Sequence, residues 1–183
     1  MLKKILFGLA ALIAVFVVAV LTRPADFRVT RSAVIPAPAS AVFAQVNDLE
    51  NWEAWSPWAK IDPAMKQSYS GPRAGTGAVS AWAGNSEVGQ GKMTITESRP
   101  NELVRFRLDF VKPFESTCDA EFTFKPEGNN TAVTWTMNGK NNFIGKAISL
   151  FMDCDKMIGG QFEQGLAQLK TVSTTAPVVA RTN

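Results

Sequence analysis

At 183 residues, with 46% hydrophobic and 19% charged side chains, the chain has the length and balance of one folded domain with a sizeable core, which argues against a disordered polypeptide. The formal net charge is +3, but Lys3 and Lys4 are the only charged side chains before Arg23. Without them 17 basic residues face 16 acidic ones with no run of like charge, so no nucleic-acid partner is expected. The chain has no histidine, and Cys118 and Cys154 form no CxxC pair. Ser-His-Asp and Cys-His nucleophiles and His-containing metal sites are therefore absent, zinc and dithiol redox chemistry are unsupported, and no cofactor is expected.

Residues 5–21 read ILFGLAALIAVFVVAVL, 17 uncharged residues that as a helix span about 25 Å, just enough to cross a membrane. A cleavable signal peptide is the rival reading, but the run ends in Val20-Leu21-Thr22-Arg23-Pro24, a poor cleavage context. Residues 1–22 are therefore expected to form a retained single-pass anchor. Lys3 and Lys4 favour a cytoplasmic amino end, whereas Arg23, Arg28 and Arg31 pull the other way. Arg28 and Arg31 belong to a strand pattern, so the Lys-Lys tail is given more weight and the domain is expected on the non-cytoplasmic (periplasmic) side.

The domain, residues 23–172, opens with strand composition over 27–35, ended by Pro36 and Pro38. Val42, Phe43, Val46 and Leu49 at helical spacing predict a short helix over 39–49. Alternating segments at 66–70, 77–84 and 87–97 predict three strands. A turn centred on Pro100 and Asn101 sets Ile95 opposite Phe106 and Met93 opposite Leu108. Gly128-Asn129 suits a two-residue hairpin with Phe122 opposite Trp135 and Ala120 opposite Met137.

At Lys112-Pro113-Phe114 a three-residue loop opposes Arg107 to Asp119 and Arg105 to Glu121, whereas a shift of two would set Asp109 against Asp119. The first register is adopted, and these four charges are read as cross-strand pairs on a wet face.

Ile144, Ile148, Phe151, Ile158, Phe162, Leu166 and Leu169 form one apolar stripe and predict a long helix over 143–172. Gly159-Gly160 in its middle either bends it or lets another element approach closely. Residues 173–183 carry no pattern and are expected to be a mobile tail. Cys118 shares the inward parity of Ala120 and Phe122, and Cys154 lies beside the stripe. Since spacing alone does not establish the Cα separation a disulfide requires, two buried free thiols are expected.

Several stretches carry a family resemblance: VIPAPASAVFAQVNDLENWEAWSPW, GQGKMTITESRPNELVRFRLDF, FTFKPEGNNTAVTWTMNG and FEQGLAQLK. Over residues 27–170 they resemble the SRPBCC (START-like) superfamily, especially bacterial proteins of the polyketide cyclase/dehydrase kind. The resemblance implies an α+β helix-grip fold, a curved antiparallel sheet around a long C-terminal helix with a cavity between them. It also implies one of several functions, because the superfamily includes lipid carriers, cyclases and protein-binding co-chaperones.

Within that fold, Trp52, Trp55 and Trp58 lie where one end of the cavity closes. Pro57 disfavours helical geometry at Ser56, so Trp52 and Trp55 share a helical turn and Trp58 is expected on an extended segment. They plug the end of the sheet, contact a ligand, or do both. The inward faces supply the candidate ligand-binding residues Trp55, Trp82, Met93, Ile95, Phe106, Leu108, Phe122, Trp135 and Met137, with Phe151 and Ile158 from the helix. Such a lining suits a hydrophobic small molecule or lipid if space remains, and is a packed core if it does not. Glu97, which continues the inward parity, and Asp155, on the helix stripe, could act as general acids or bases if buried. A strand-end position for Glu97 and a partner such as Lys156 for Asp155 are favoured instead, so no catalytic residue is assigned. The expected function is binding of a hydrophobic molecule by a membrane-anchored domain, the alternatives being a cyclase/dehydrase-type enzyme and a co-chaperone-like module.

Overall fold

Two prolines and one asparagine set the first and last boundaries of the domain's helical parts. In the computed structural model, which describes residues 1–175, Pro36 and Pro38 separate the first strand from the first domain helix, and Asn142 caps the helix that follows the last strand. The elements are α1 (Leu2–Leu21), β1 (Asp26–Ile35), α2 (Ala39–Asn47), a 3-10 turn (Leu49–Asn51), α3 (Trp52–Trp55) and α4 (Pro57–Ile61). The strands β2 (Lys66–Ser70), β3 (Val79–Ala83), β4 (Gln90–Arg99), β5 (Leu103–Lys112), β6 (Ser116–Glu127) and β7 (Asn130–Lys140) precede α5 (Phe143–Ile148) and α6 (Cys154–Thr175).

The seven strands form one antiparallel sheet in the order β1-β7-β6-β5-β4-β3-β2, and α6 packs across it with α2, α3 and α4 against its flank. This is the α+β helix-grip architecture. The core sits between sheet and α6, where Phe106, Phe122, Phe162, Leu166 and Leu169 are fully or almost fully buried.

The expected pairings of the inward residues are present, although the turn after β4 has three residues, Pro100-Asn101-Glu102, with Arg99 opposite Leu103, and the extra residue at Thr96 restores the expected register beyond it. Ile95 faces Phe106 and Met93 faces Leu108, with Asn101 at φ 62° in the turn. Phe122 faces Trp135 and Ala120 faces Met137 around Gly128 at φ 63°, a conformation that suits glycine. Arg107 faces Asp119 and Arg105 faces Glu121 across the three-residue loop. The side chain of Arg107 turns along its own strand to Asp109, however, at 3.0 Å.

Four expectations are corrected. A register shift between Ile95 and Glu97 inserts one extra residue and inverts the alternation beyond it, so Glu97 lies outward opposite Arg105 instead of following Met93 and Ile95 inward. Trp58 is not on extended backbone: Ser56 is extended, but Pro57 starts a new helical turn at its first position, where a missing N–H costs nothing. The C-terminal helix is two helices. Asp153 accepts the amide N–H of Lys156 at 3.1 Å and so starts α6 anew, which leaves Phe151 in the connection, 80% exposed, instead of on the buried stripe. Finally, α6 continues to Thr175 with Ser173 buried, past the expected end at 172, while residues 176–183 lie outside the described residues.

The α6 helix runs unbroken through Gly159-Gly160. A Cβ on Gly159 would collide with the guanidinium of Arg31 from β1, so the glycine permits a close approach.

Candidate functional site

The tryptophan-rich segment forms a wall. Ser56 N–H closes on Trp52 O at 2.7 Å, holding Trp52 and Trp55 on one turn with ring centroids 4.4 Å apart. Each indole N–H is satisfied by α2: Trp52 Nε1 donates to Val46 O at 2.9 Å and Trp55 Nε1 to Gln45 O at 3.2 Å. These bonds let two amphipathic rings enter the core without an orphaned donor. Trp52 meets Phe106, Phe122 and Trp135 edge to face, and Trp58 meets Trp135 and Phe162 in the same way.

Trp135 is the centre of this cluster. It stacks on Phe162 of α6 at 3.9 Å, almost parallel, and Gly165 makes room for it, since a Cβ there would approach Trp135 Cζ3 to 2.8 Å.

Beyond this wall lies a cavity of about 330 Å³. Of the residues expected to line it, Trp82, Met93, Leu108, Trp135, Met137 and Ile158 do so. Trp55, Ile95, Phe106 and Phe122 do not; they are inward but form the solid core beneath, with Trp55, Ile95 and Phe122 fully buried. Phe151 is displaced to the surface by the helix break. The structure adds Trp52 and Trp58, so the tryptophan segment both plugs the sheet and faces the cavity. Phe110, which packs edge to face on Trp82, adds a further aromatic wall.

Polar groups are few. Ser56 and Ser80 are buried in the lining, Gln67 is half-buried, and Glu87 and Lys112 are exposed residues at the margin. Their presence was not read from the sequence, because polar residues on short strands and turns show no periodicity that separates lining from surface.

The two acids considered for proton transfer stand elsewhere. Glu97 bonds Arg105 at 2.6 Å on the outer sheet face, next to the Arg105–Glu121 contact at 3.2 Å. Asp155 is bound by Arg31 at 3.0 Å, and the hydrogen bonds from that guanidinium hold its carboxyl below the usual range. Arg31 also donates to Glu163 at 2.7 Å, so the trio ties β1 to α6. Burial pushes the thiol of Cys118 up to about 11. Among the described residues no cluster of three acidic, cysteine or histidine side chains could hold a metal.

The family described as "Polyketide cyclase / dehydrase and lipid transport" matches residues 26–174, most of the chain. The chain belongs to this family. As a polyketide cyclase/dehydrase-type domain of the SRPBCC superfamily it has structural neighbours of low sequence identity. Protein CV1439 from Chromobacterium violaceum superposes with a TM-score of 0.59 at 15% identity, over 84% of this chain and 100% of that one. TTHA0849 from Thermus thermophilus gives 0.58 at 19% identity, over 82% and 99%. The di-domain ARO/CYC BexL from the BE-7585A biosynthetic pathway gives 0.61 at 14% identity, over 88% of this chain and 54% of that one. At these identities the likeness is one of fold. No curated protein matches the sequence.

Proposed function

We propose that this polyketide cyclase/dehydrase-type domain binds a hydrophobic small molecule or lipid between its sheet and α6, and that α1 anchors it in a membrane. The observation that carries the reading is the cavity itself: about 330 Å³, walled by Trp52, Trp58, Trp82, Phe110, Trp135 and neighbouring methionines. That volume is in the range of small-molecule sites, which pair apolar walls with a few polar groups. Ser56, Ser80 and Gln67 supply those groups, so the ligand is an apolar body with a small polar end. Because Glu97 and Asp155 are engaged in outer ion pairs, the reading requires binding alone and assigns no chemistry to an acid.

The anchor reading rests on α1, a 20-residue helix whose only charged side chains are Lys3 and Lys4 and which is exposed from its first residue through Phe16. Helices of this kind satisfy their backbone internally and need only an apolar surface to span a bilayer. Lys3 and Lys4 favour a cytoplasmic amino end, with the domain on the other side.

Native mass spectrometry of the detergent-extracted full chain tests the binding. An adduct of one apolar molecule, released on unfolding, is the expected result; bare protein after extraction from its host and after incubation with mixed membrane lipids would count against it.

A further inference from the structure

Outside α1, the exposed large apolar side chains among the described residues concentrate in one stretch: Phe143, Ile144 and Ile148 on α5, Phe151 and Met152 in the connection, and Met157 on the first turns of α6. Phe114, also exposed, borders the same region across a second cavity of about 260 Å³, which Ile148 and Gly145 of α5 line with Phe27 and Cys118. Water-facing apolar surface on this scale marks a contact site.

What covers it is indicated by α1. This helix packs on α5, and burial along it is confined to its last turn, where Val20 is fully buried and Val17 and Ala19 are half-buried. That turn is the end of the uncharged run, whose last residue Leu21 stands two positions before Arg23. A segment packed there lies within about one helical pitch, 5.4 Å, of the level at which α1 leaves the hydrocarbon. The second cavity also shares Phe110, Lys112 and Pro113 with the larger one, so the two are neighbours with a common wall.

We propose that α5 and the segment through Met157 are seated in the interface of the bilayer that holds α1, which makes the second cavity the lipid-side entrance to the binding cavity. The proposal rests on the anchor and binding readings above. Interfacial segments hold by buried apolar area, with or without attraction to anionic lipid. Here charge is nearly balanced: Lys140 stands 4.0 Å from Asp26 and Lys156 stands 3.6 Å from Asp153, so docking is expected on zwitterionic lipid and in high salt alike.

The test uses the full chain in phosphatidylcholine vesicles, with Cys154→Ser as the parent and buried Cys118 left in place. A nitrobenzoxadiazole label is attached at Phe151→Cys or, at the far end of the sheet, at Glu127→Cys. Glu127 begins the β6–β7 turn and Lys140, beside α5, ends β7, about 33 Å away along the strand. The label at 151 is expected to be blue-shifted and quenched several-fold by nitroxides on the lipid chains, unchanged in high salt, while the label at 127 reports water. Equal water exposure at the two positions would overturn the docking, even if native mass spectrometry still finds a ligand. Lipid contact at 151 on a chain that carries no apolar molecule would leave the docking in place and refute the entrance.

Discussion

The guanidinium of Arg31 occupies the space in which a side chain on residue 159 would begin, so that a Cβ on Gly159 would collide with its Nη2, Cζ and Nε atoms. From there Arg31 reaches Asp155 at 3.0 Å and Glu163 at 2.7 Å, about one turn of α6 to either side of Gly159. Gly160, next in sequence, has nothing within 4 Å of its Cβ position. Gly160→Ala is therefore expected to stabilise the fold by about 0.5–1 kcal/mol through helix propensity. Gly159→Ala should lose that gain, because Arg31 must leave both carboxylates. Thermal melts of the two variants check this, and equal stabilisation by both would show that the approach of Arg31 is unimportant.

Asp155 is held below the usual carboxylate range by the bonds from Arg31, and Asp109 by the bond from Arg107. A carboxyl with a lowered folded value stabilises the fold above its unfolded value and loses that contribution as pH falls through the folded one. Stability is therefore expected to decline below about pH 4, and the decline should be shallower in Asp155→Asn and Asp109→Asn. Exposure and solvent screening keep each effect modest. An acid limb identical to the parent's in both variants, followed by chemical denaturation across the pH range, would exclude these pairs as its source.

Both cysteines are free, as expected, but only Cys118 is buried; Cys154, at the start of α6, is half-exposed. With its thiol at about 11, Cys118 is also almost wholly protonated near neutrality. One thiol per chain should react rapidly with a chromogenic disulfide reagent at pH 8, and two after denaturation. Two fast thiols in the native protein would mean that the interior around Cys118 opens readily.

Much of the sheet was legible because its turns announce themselves. Gly128-Asn129 fixes one hairpin and opposite charges choose the register of a second, so Phe106, Leu108, Ala120, Phe122, Trp135 and Met137 could be placed inward in advance. The bulge at Thr96 could not, since neither glycine nor proline marks it, and one extra residue reversed the side on which Glu97 lies. The helix break was hidden for another reason: Phe151 and Ile158 keep a seven-residue spacing across it, and only Asp153, a capping residue among hydrophobic ones, hints at a new start.

Inward direction was readable, but distance from the empty space was not. Phe106 and Phe122 support the cavity from below while Leu108 and Met137, two residues along or one strand over, face it. For Trp52 and Trp58 the sequence leaves plug and ligand contact both open, because ring size alone does not decide between them.

Ala120 gives the most direct test of the binding account, since it is buried, lines the cavity and stands on β6 between Phe106 of β5 and Met137 of β7. Native mass spectrometry of full-length Ala120→Leu beside the parent, with Arg105→Ala as an outer-face control and melts confirming that each is folded, is the measurement to make. In a filled core the added carbons would cost about 1–3 kcal/mol, whereas real space accepts them. The account predicts that Ala120→Leu melts close to the parent and loses its apolar adduct at least tenfold, while Arg105→Ala keeps it. A folded Ala120→Leu that retains the adduct as the parent does would contradict it, because the ligand would then lie outside the cavity.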